Sequence, residues 1–366
     1  MCSRAFRLCG ATLLEMGARF TACLLIGAAS AHAHTFCVDN AADLQTDLAA
    51  ASDGGANATE NNTIKIVIGT YYTADNNNAE FYYNNQTTAR ILDINGGYNS
   101  NCTAIIENPA LTMLDGSGAT RVFESESLSG DVSLRFLTFQ NGVAGVHEGG
   151  AGVLMNGDTS DEGPVIFDQN IVRNNRTDYF AGGFSIYTAA SGTIQFENNL
   201  IVGNSAHLGS GGGEITDFGK GANVINNTFA QNTVALNPAT ATGGLLFSVN
   251  LATSPPPDTM SNNILWGNSG FDLSTIAVLV DNDYGSDSDS PDPSSIGNVT
   301  FDPQFSSATD FHLSSTSPLL GMGTLTPTGG LPSVDIEGHA RKSLDNTVDM
   351  GAYERGDEIF KDGFQG

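Results

Sequence analysis

Apolar residues in this chain come in short alternating runs, each closed by a turn former. Val165-Ile-Phe167, Ile194-Gln-Phe196 and Ala222-Asn-Val224 place an apolar side chain at every second position, the pattern of a half-buried strand. Each run is followed by an aliphatic stretch held between two asparagines. That motif reads Asn170-Ile-Val-Arg-Asn-Asn175, Asn199-Leu-Ile-Val-Gly-Asn204, Asn227-Thr-Phe-Ala-Gln-Asn232 and Asn263-Ile-Leu-Trp-Gly-Asn268. A degenerate earlier copy is Phe136-Leu-Thr-Phe-Gln-Asn141. The second asparagine therefore stands at Asn141, Asn175, Asn204, Asn232 and Asn268, with steps of 34, 29, 28 and 36.

A second motif keeps the same beat. Small-Gly pairs ahead of the next apolar run occur at Ala151-Gly152, Gly182-Gly183, Gly212-Gly213 and Gly243-Gly244, the second glycine advancing by 31, 30 and 31. A 28-residue step that already holds three extended pieces has no room for a helix of about ten residues. That excludes helical solenoids and leucine-rich repeats, and a propeller blade needs about 40 residues and four strands. The period predicts an all-β, right-handed parallel β-helix with three short strands per coil of about thirty residues.

In such a stack, strands of successive coils lie about 4.8 Å apart and like residues sit on like. Inward Val, Ile, Leu and Phe form one continuous core. Stacked asparagines form a ladder at a turn, each amide bonding backbone and its neighbours. A lone buried amide without partners costs about 1–3 kcal/mol, and a ladder satisfies every member except those at its ends. The asparagines are therefore read as structural rather than ligand-binding.

The ends of a stack expose strand edges and need covers. Residues 40–50 read as a short amphipathic helix with Ala41, Leu44 and Leu48 on one face, a lid on the first coil. Ile64–Ile68 then reads as the first clear strand. Pro255–Pro257 and Gly285–Pro293 mark long loops on the later coils. The coils are placed at 34–300, with final coils and a C-terminal cap of the same domain at 301–354.

Residues 1–33 read as a signal peptide. Arg4, Arg7 and Arg19 are basic, Phe20–Ala29 is apolar, and Ala31-His32-Ala33 is a small-x-small cleavage site. Met1 and Met16 both remain candidate starts. The apolar core is too short to span a bilayer, which takes about 20 residues. Without this segment the chain keeps 11 basic and 39 acidic residues, a formal charge of −28. That charge argues against nucleic acid or an anionic membrane as partner. Cys37 and Cys102 are the two cysteines left, an even pair suited to a disulfide in an oxidising compartment. The expected location is the cell surface, periplasm or exterior.

Several motifs resemble bacterial right-handed parallel β-helix proteins with a choice-of-anchor Q domain. They are Asp281-Asn-Asp283-Tyr-Gly285, Asp302-Pro303-Gln-Phe305, Asp310-Phe-His-Leu313, Ser317-Pro318-Leu319, Gly321, Gly323 and Val348-Asp-Met-Gly-Ala-Tyr353-Glu354. Gly96-Gly97-Tyr98, Asn108-Pro109 and Leu114-Asp115-Gly116 are similar to the same group. The resemblance covers most of the chain beyond residue 33. It implies the fold, an exported location and a variable C-terminal anchor, and it implies no catalytic activity. Residues 355–366 are similar to short Ile-Phe-x-Asp-Gly-Phe endings of other exported proteins, a candidate sorting signal.

Candidate chemistry is sparse. Three residues past the ladder come Asp178 and His207, which the register stacks on adjacent coils, where a carboxylate can orient an imidazole. Glu214 lies where neighbouring coils carry Phe184 and Leu245. Asp178, His207 and Glu214 are the candidate polar site, weighed against the plainer reading of solvated turn residues. The acidic stretch with Asp281, Asp283, Asp287 and Asp289 is a candidate calcium loop, although it lacks the EF-hand order; no other cofactor is expected. His147 and Glu148 fall in a Gly-rich turn. Trp266 aligns with Arg173, Val202 and Ala230 and points outward, to pack under the Pro255 loop or to stack on a sugar. No Gly-His-Gly or Arg-Ile-Lys segment of a pectin hydrolase is present, and the chain is poor in lysine. The leading reading is a non-enzymatic, monomeric surface or periplasmic protein that binds a glycan or cell-surface partner. The rival is a polysaccharide lyase or glycoside hydrolase.

Overall fold

The computed structural model describes residues 33–87, 89–127, 129–157, 161–189, 191–249 and 258–355. All but the last residue of the stretch read as a signal peptide (1–33), the Pro255–Pro257 stretch read as a loop, and the residues from 356 read as a sorting signal lie outside the described residues.

The chain winds as a right-handed parallel β-helix. Three long parallel sheets run its length, and strands from successive coils pair in chain order. A nine-stranded sheet runs from Ala33–Val38 to Val278–Val280, an eight-stranded sheet from Gly69–Tyr72 to Asp283–Tyr284, and a seven-stranded sheet from Phe81–Asn85 to Phe271–Thr275. A small four-stranded sheet, Val143–Ala144 to Thr233–Val234, bridges the last two. The first strand is Ala33–Val38, ahead of the one expected at Ile64; it pairs as an edge strand on Asn61–Val67.

Alternation decides which side chains face inward. Val165, Ile194 and Ala222 stand in one row, with Phe167, Phe196 and Val224 in another. All six lie in the single elongated core. Phe167 and Phe196 stack at 5.2 Å between ring centroids, and Phe196 stacks on Phe184 at 4.8 Å. Burying each such ring contributes about 2–3 kcal/mol.

Helix α1 (Ala41–Ala51) closes the N-terminal end. The Asn40 side chain accepts a hydrogen bond from the Asp43 N–H, so the helix begins at a capped residue. Its buried face is Ala41, Leu44, Leu48 and Ala51. Cys37 and Cys102 form a disulfide with their Cα atoms 5.8 Å apart, tying the edge strand to the loop that follows strand Ile91–Tyr98 in the second coil.

The asparagine ladder is a hydrogen-bonded column. Asn175, Asn204 and Asn232 each donate their backbone N–H to the next Oδ1, at 3.0, 3.0 and 2.9 Å, ending on Asn268, which Asp272 caps. Asn141 is not a rung, contrary to the expectation. Gly142 takes that position and donates to Asn175 Oδ1 at 2.7 Å. Asn141 sits one residue earlier, in the left-handed turn position (φ 55°) that Asn174 and Gln231 share. A short amide favours that conformation as well as a ladder site, so composition alone did not separate the two roles. The first asparagine of each motif builds a second column: Asn170, Asn199, Asn227, Asn263, Asn282 and Asn298.

The glycine row is also shifted in one coil. Gly183 and Gly212 stack backbone to backbone, whereas Gly213 pairs with Phe184 and Leu245. A Cβ on Gly213 would collide with the Phe184 ring.

Residues 301–355 add no further coil. They form an antiparallel hairpin, Phe305–Ser307 with Asp310–Leu313, and then an irregular strap along the flank. The strap is held by side chains from one turn position in four coils. Asn262 exchanges hydrogen bonds with Thr324, Asn226 donates to Asp349 O, Asn198 accepts from Arg341, and Gln169 donates to Asp335 O. All four hosts have positive φ, between 52° and 59°, which turns their side chains out of the coil. Trp266 stands in register with Ala230, Val202 and Arg173, as the motif implied. It packs against a cluster of Ile264 from its own strand, Leu313 of the hairpin, and Leu319 and Met350 of the strap.

Candidate functional site

The seven-stranded sheet carries the most chemistry on its outer face. Two rows of side chains point outward there. One is Tyr82, Glu124, Leu154, Ser185, Glu214 and Leu246; the other is Asn84, Glu126, Asn156, Tyr187, Thr216 and Ser248. Tyr82 donates its hydroxyl to Glu126 at 2.7 Å. Seven strands at about 4.8 Å spacing give a face about 29 Å long.

At the N-terminal part of this face lies a cleft of about 540 Å³, lined by Glu80, Arg121, Glu124, His147, Glu148 and Leu154 among others. Arg121 is its floor and is only 7% exposed. Every nitrogen of the guanidinium is engaged within the protein. Nε donates to Gly150 O and Nη2 to Gly149 O, each at 3.2 Å. Nη1 donates to Glu80 at 3.1 Å and also to Glu124. Glu148 lies 3.7 Å from Nη2. The lining thus presents carboxylate oxygens, with no free cation among these residues. Burial raises the Glu124 carboxyl above its ordinary range, Arg121 opposes the rise, and Glu80 and Glu126 add to it. An aromatic ridge flanks the cleft: His147 meets Tyr179 edge-on at 5.2 Å, and Tyr179 meets Phe180 at 4.8 Å.

The three residues expected to form a polar site do not assemble. Asp178 and His207 are in register, because Thr177 pairs with Ala206, and both are exposed. The backbone N–H of His207 bonds Thr177 O. No hydrogen bond or ion pair joins Asp178 to the His207 ring among the described residues. Glu214 belongs to a different sheet and aligns with Ser185 and Leu246, one position from the expected Phe184 and Leu245 row. It faces outward, half-buried, with its carboxyl pKa raised by burial.

The four aspartates of the proposed calcium loop are engaged separately. Asp283 accepts from Phe301 N, Asp287 from Asp289 N, and Asp289 from Ser274 Oγ; Asp281 occupies a left-handed turn position. Burial pushes Asp283 up to about 7 and Asp287 up to about 6. Among the described residues no three His, Cys, Asp or Glu side chains form a metal-holding group, so the calcium reading has no geometric support. Nor is any described helix long and apolar enough to cross a membrane.

Sequence reasoning missed Glu80, Arg121 and Glu124. One signal was available: Glu124-Ser-Glu126 alternates like a strand with both carboxylates on the outer face. Comparison with family models, curated proteins and solved structures returned no match. The chain is an all-β parallel solenoid with an N-terminal helix, an architecture used by surface-adhesion and carbohydrate-acting proteins. Fold alone does not choose between those roles.

Proposed function

We propose that this chain is an exported, non-enzymatic β-helix protein that binds a neutral, hydroxyl-rich glycan along the outer face of its seven-stranded sheet. The observation that carries this reading is the Arg121 cleft. Its one cation is consumed internally, so a ligand meets acceptor oxygens and must itself bring donors. Sugar hydroxyls do so, and the His147–Tyr179–Phe180 ridge offers aromatic surface to a sugar's apolar face. A polyuronate is disfavoured by Glu80, Glu124 and Glu148 and by the chain's formal charge of −26. Membership of the choice-of-anchor Q group, with an adhesive role at the cell surface, fits the strap motifs. The Cys37–Cys102 disulfide supports an oxidising compartment.

The enzymatic alternative, a glycoside hydrolase or lyase, draws on one feature. Glu124 holds its proton more tightly than an ordinary carboxyl beside a second carboxylate, Glu80, as a general acid does. Arg121 pins both side chains, which favours binding over proton transfer.

The test is a retardation assay against soluble neutral glucans, mannans and galactans, with polygalacturonate as control and reducing-end and unsaturated-product measurements in parallel. Retardation by a neutral glycan without product release is expected. Release of products selects the enzymatic alternative, and retardation by polygalacturonate alone overturns the ligand class.

A further inference from the structure

We propose that the C-terminal strap is a pH-gated clasp, closed on the solenoid flank in acid and neutral solution and released in alkali while the coils stay wound.

The clasp centres on Arg341, whose side chain is fully buried. Its Nε and Nη2 donate to Asn198 Oδ1 at 3.1 and 2.6 Å, and Nη2 also donates to Ala352 O at 2.7 Å. Nη1 has no hydrogen-bond partner among the described residues and lies 3.7 Å from Glu354. The strap contributes three carboxyl groups to this site: Asp335, Asp349 and Glu354. The solenoid contributes Asp168 and Glu197, with Arg135 ion-paired to Asp168. Further out, Arg355 faces Asp349, His339 faces Asp335, and Glu107 faces Asp168. Five carboxyl groups thus surround the fully buried Arg341, with the partly exposed Arg135 at the edge of the cluster.

Full ionisation would leave excess negative charge confined there. The closed state therefore retains protons. Burial, then the neighbouring Asp168, pushes Glu197 up to about 8; burial, then Asp349, pushes Glu354 up to about 8. Both groups hold their protons more tightly closed than open. Their contribution to docking is fully present below their ordinary value and is lost as pH rises through about 8.

A second latch acts in the same direction. His312 bonds Asp310 at 2.5 Å and Glu337 at 3.2 Å, linking the hairpin to the strap, and its ring lies 4.0 Å from that of Tyr353. The bond to Glu337, then that to Asp310, raises the imidazole to about 9 against opposing burial. This latch is lost when the proton leaves. The coils themselves rest on the asparagine columns and the phenylalanine stack, in which the strap takes no part.

Trp266 is the only tryptophan and packs against the cluster of Ile264, Leu313, Leu319 and Met350, three of which lie beyond the coils, so its emission reports the clasp. Far-ultraviolet circular dichroism reports the coils. On titrating the full chain from about pH 6 to about pH 10, a red shift is expected while the β signal holds. The double variant Glu197→Gln, Glu354→Gln, which stays neutral throughout, should move the midpoint upward by about one pH unit. In parallel, trypsin cleavage after Lys342 in the wild type, normalised to denatured chain, should rise about tenfold between neutral and alkaline solution. This arm does not depend on the variant folding. An unchanged cleavage rate, a red shift that coincides with loss of the β signal, or a double variant that titrates like the wild type overturns the clasp.

Discussion

Arg341 Nη2 lies 2.6 Å from Asn198 Oδ1, across 143 residues of sequence. This hydrogen bond seats a fully buried cation against the turn of a middle coil, and the strap closes around it. Removing one partner of a buried charged group is more damaging than losing a surface pair, because the remaining charges stay uncompensated. Arg341→Ala is expected to weaken the folded state by about 3–5 kcal/mol. Urea unfolding followed through Trp266 emission measures it. A loss below about 1 kcal/mol would show that the strap docks without the guanidinium.

Asn204 and Asn141 separate two roles that look alike in the sequence. Asn204 accepts from Asn175 N and donates to Val172 O and Asn232 Oδ1, all inside the column. Asn204→Ala strands those groups and is expected to cost about 3 kcal/mol. Asn141→Gly keeps the left-handed turn and is expected to cost about 1 kcal/mol or less. Thermal denaturation of the two variants side by side checks the ordering; equal losses would contradict the assignment of Gly142 to the column.

The solenoid was legible because its signal is additive. Each coil repeats the alternating run and the asparagine pair, so an error in one copy is outvoted by the others. Registers slipped where one residue type serves two physical ends. Asn141 satisfies a left-handed turn, and Gly212 and Gly213 sit in a glycine run with no neighbour to fix the count. The cleft was hidden for another reason: Glu80, Arg121 and Glu148 come from three different coils, and their meeting depends on loop paths that no local pattern encodes. The strap motifs were visible, but their purpose was not. Gly321 N–H bonds Asp349, and Glu354 accepts from Asp349 N, contacts that a chain of motifs cannot reveal.

Cys37 and Cys102 close a loop of 65 residues that contains the lid helix and the first coil. Restricting the unfolded chain in this way stabilises by about 2–4 kcal/mol. A Cys37→Ser, Cys102→Ser chain should unfold at lower urea by that amount, and reductant should lower the wild type to the same midpoint. A reductant-insensitive midpoint would contradict the role of the bond.

His312 gives a pH signature of its own. Its stabilising charge is fully present below the ordinary imidazole pKa of 6.5 and disappears as pH rises through about 9. The melting-temperature difference between wild type and His312→Gln should therefore shrink steadily across that window. A difference that is constant or grows with pH would contradict the latch.

The binding claim rests on the cleft, and calorimetric titration tests it most directly. The neutral glycan that retards the wild type is titrated into wild type and Glu124→Gln, with far-ultraviolet circular dichroism confirming that both are wound. Saturable binding to the wild type, weakened about tenfold or more in the variant, which corresponds to about 1.4 kcal/mol, is the expected result. Equal affinity in the two proteins would place the ligand elsewhere and contradict the account.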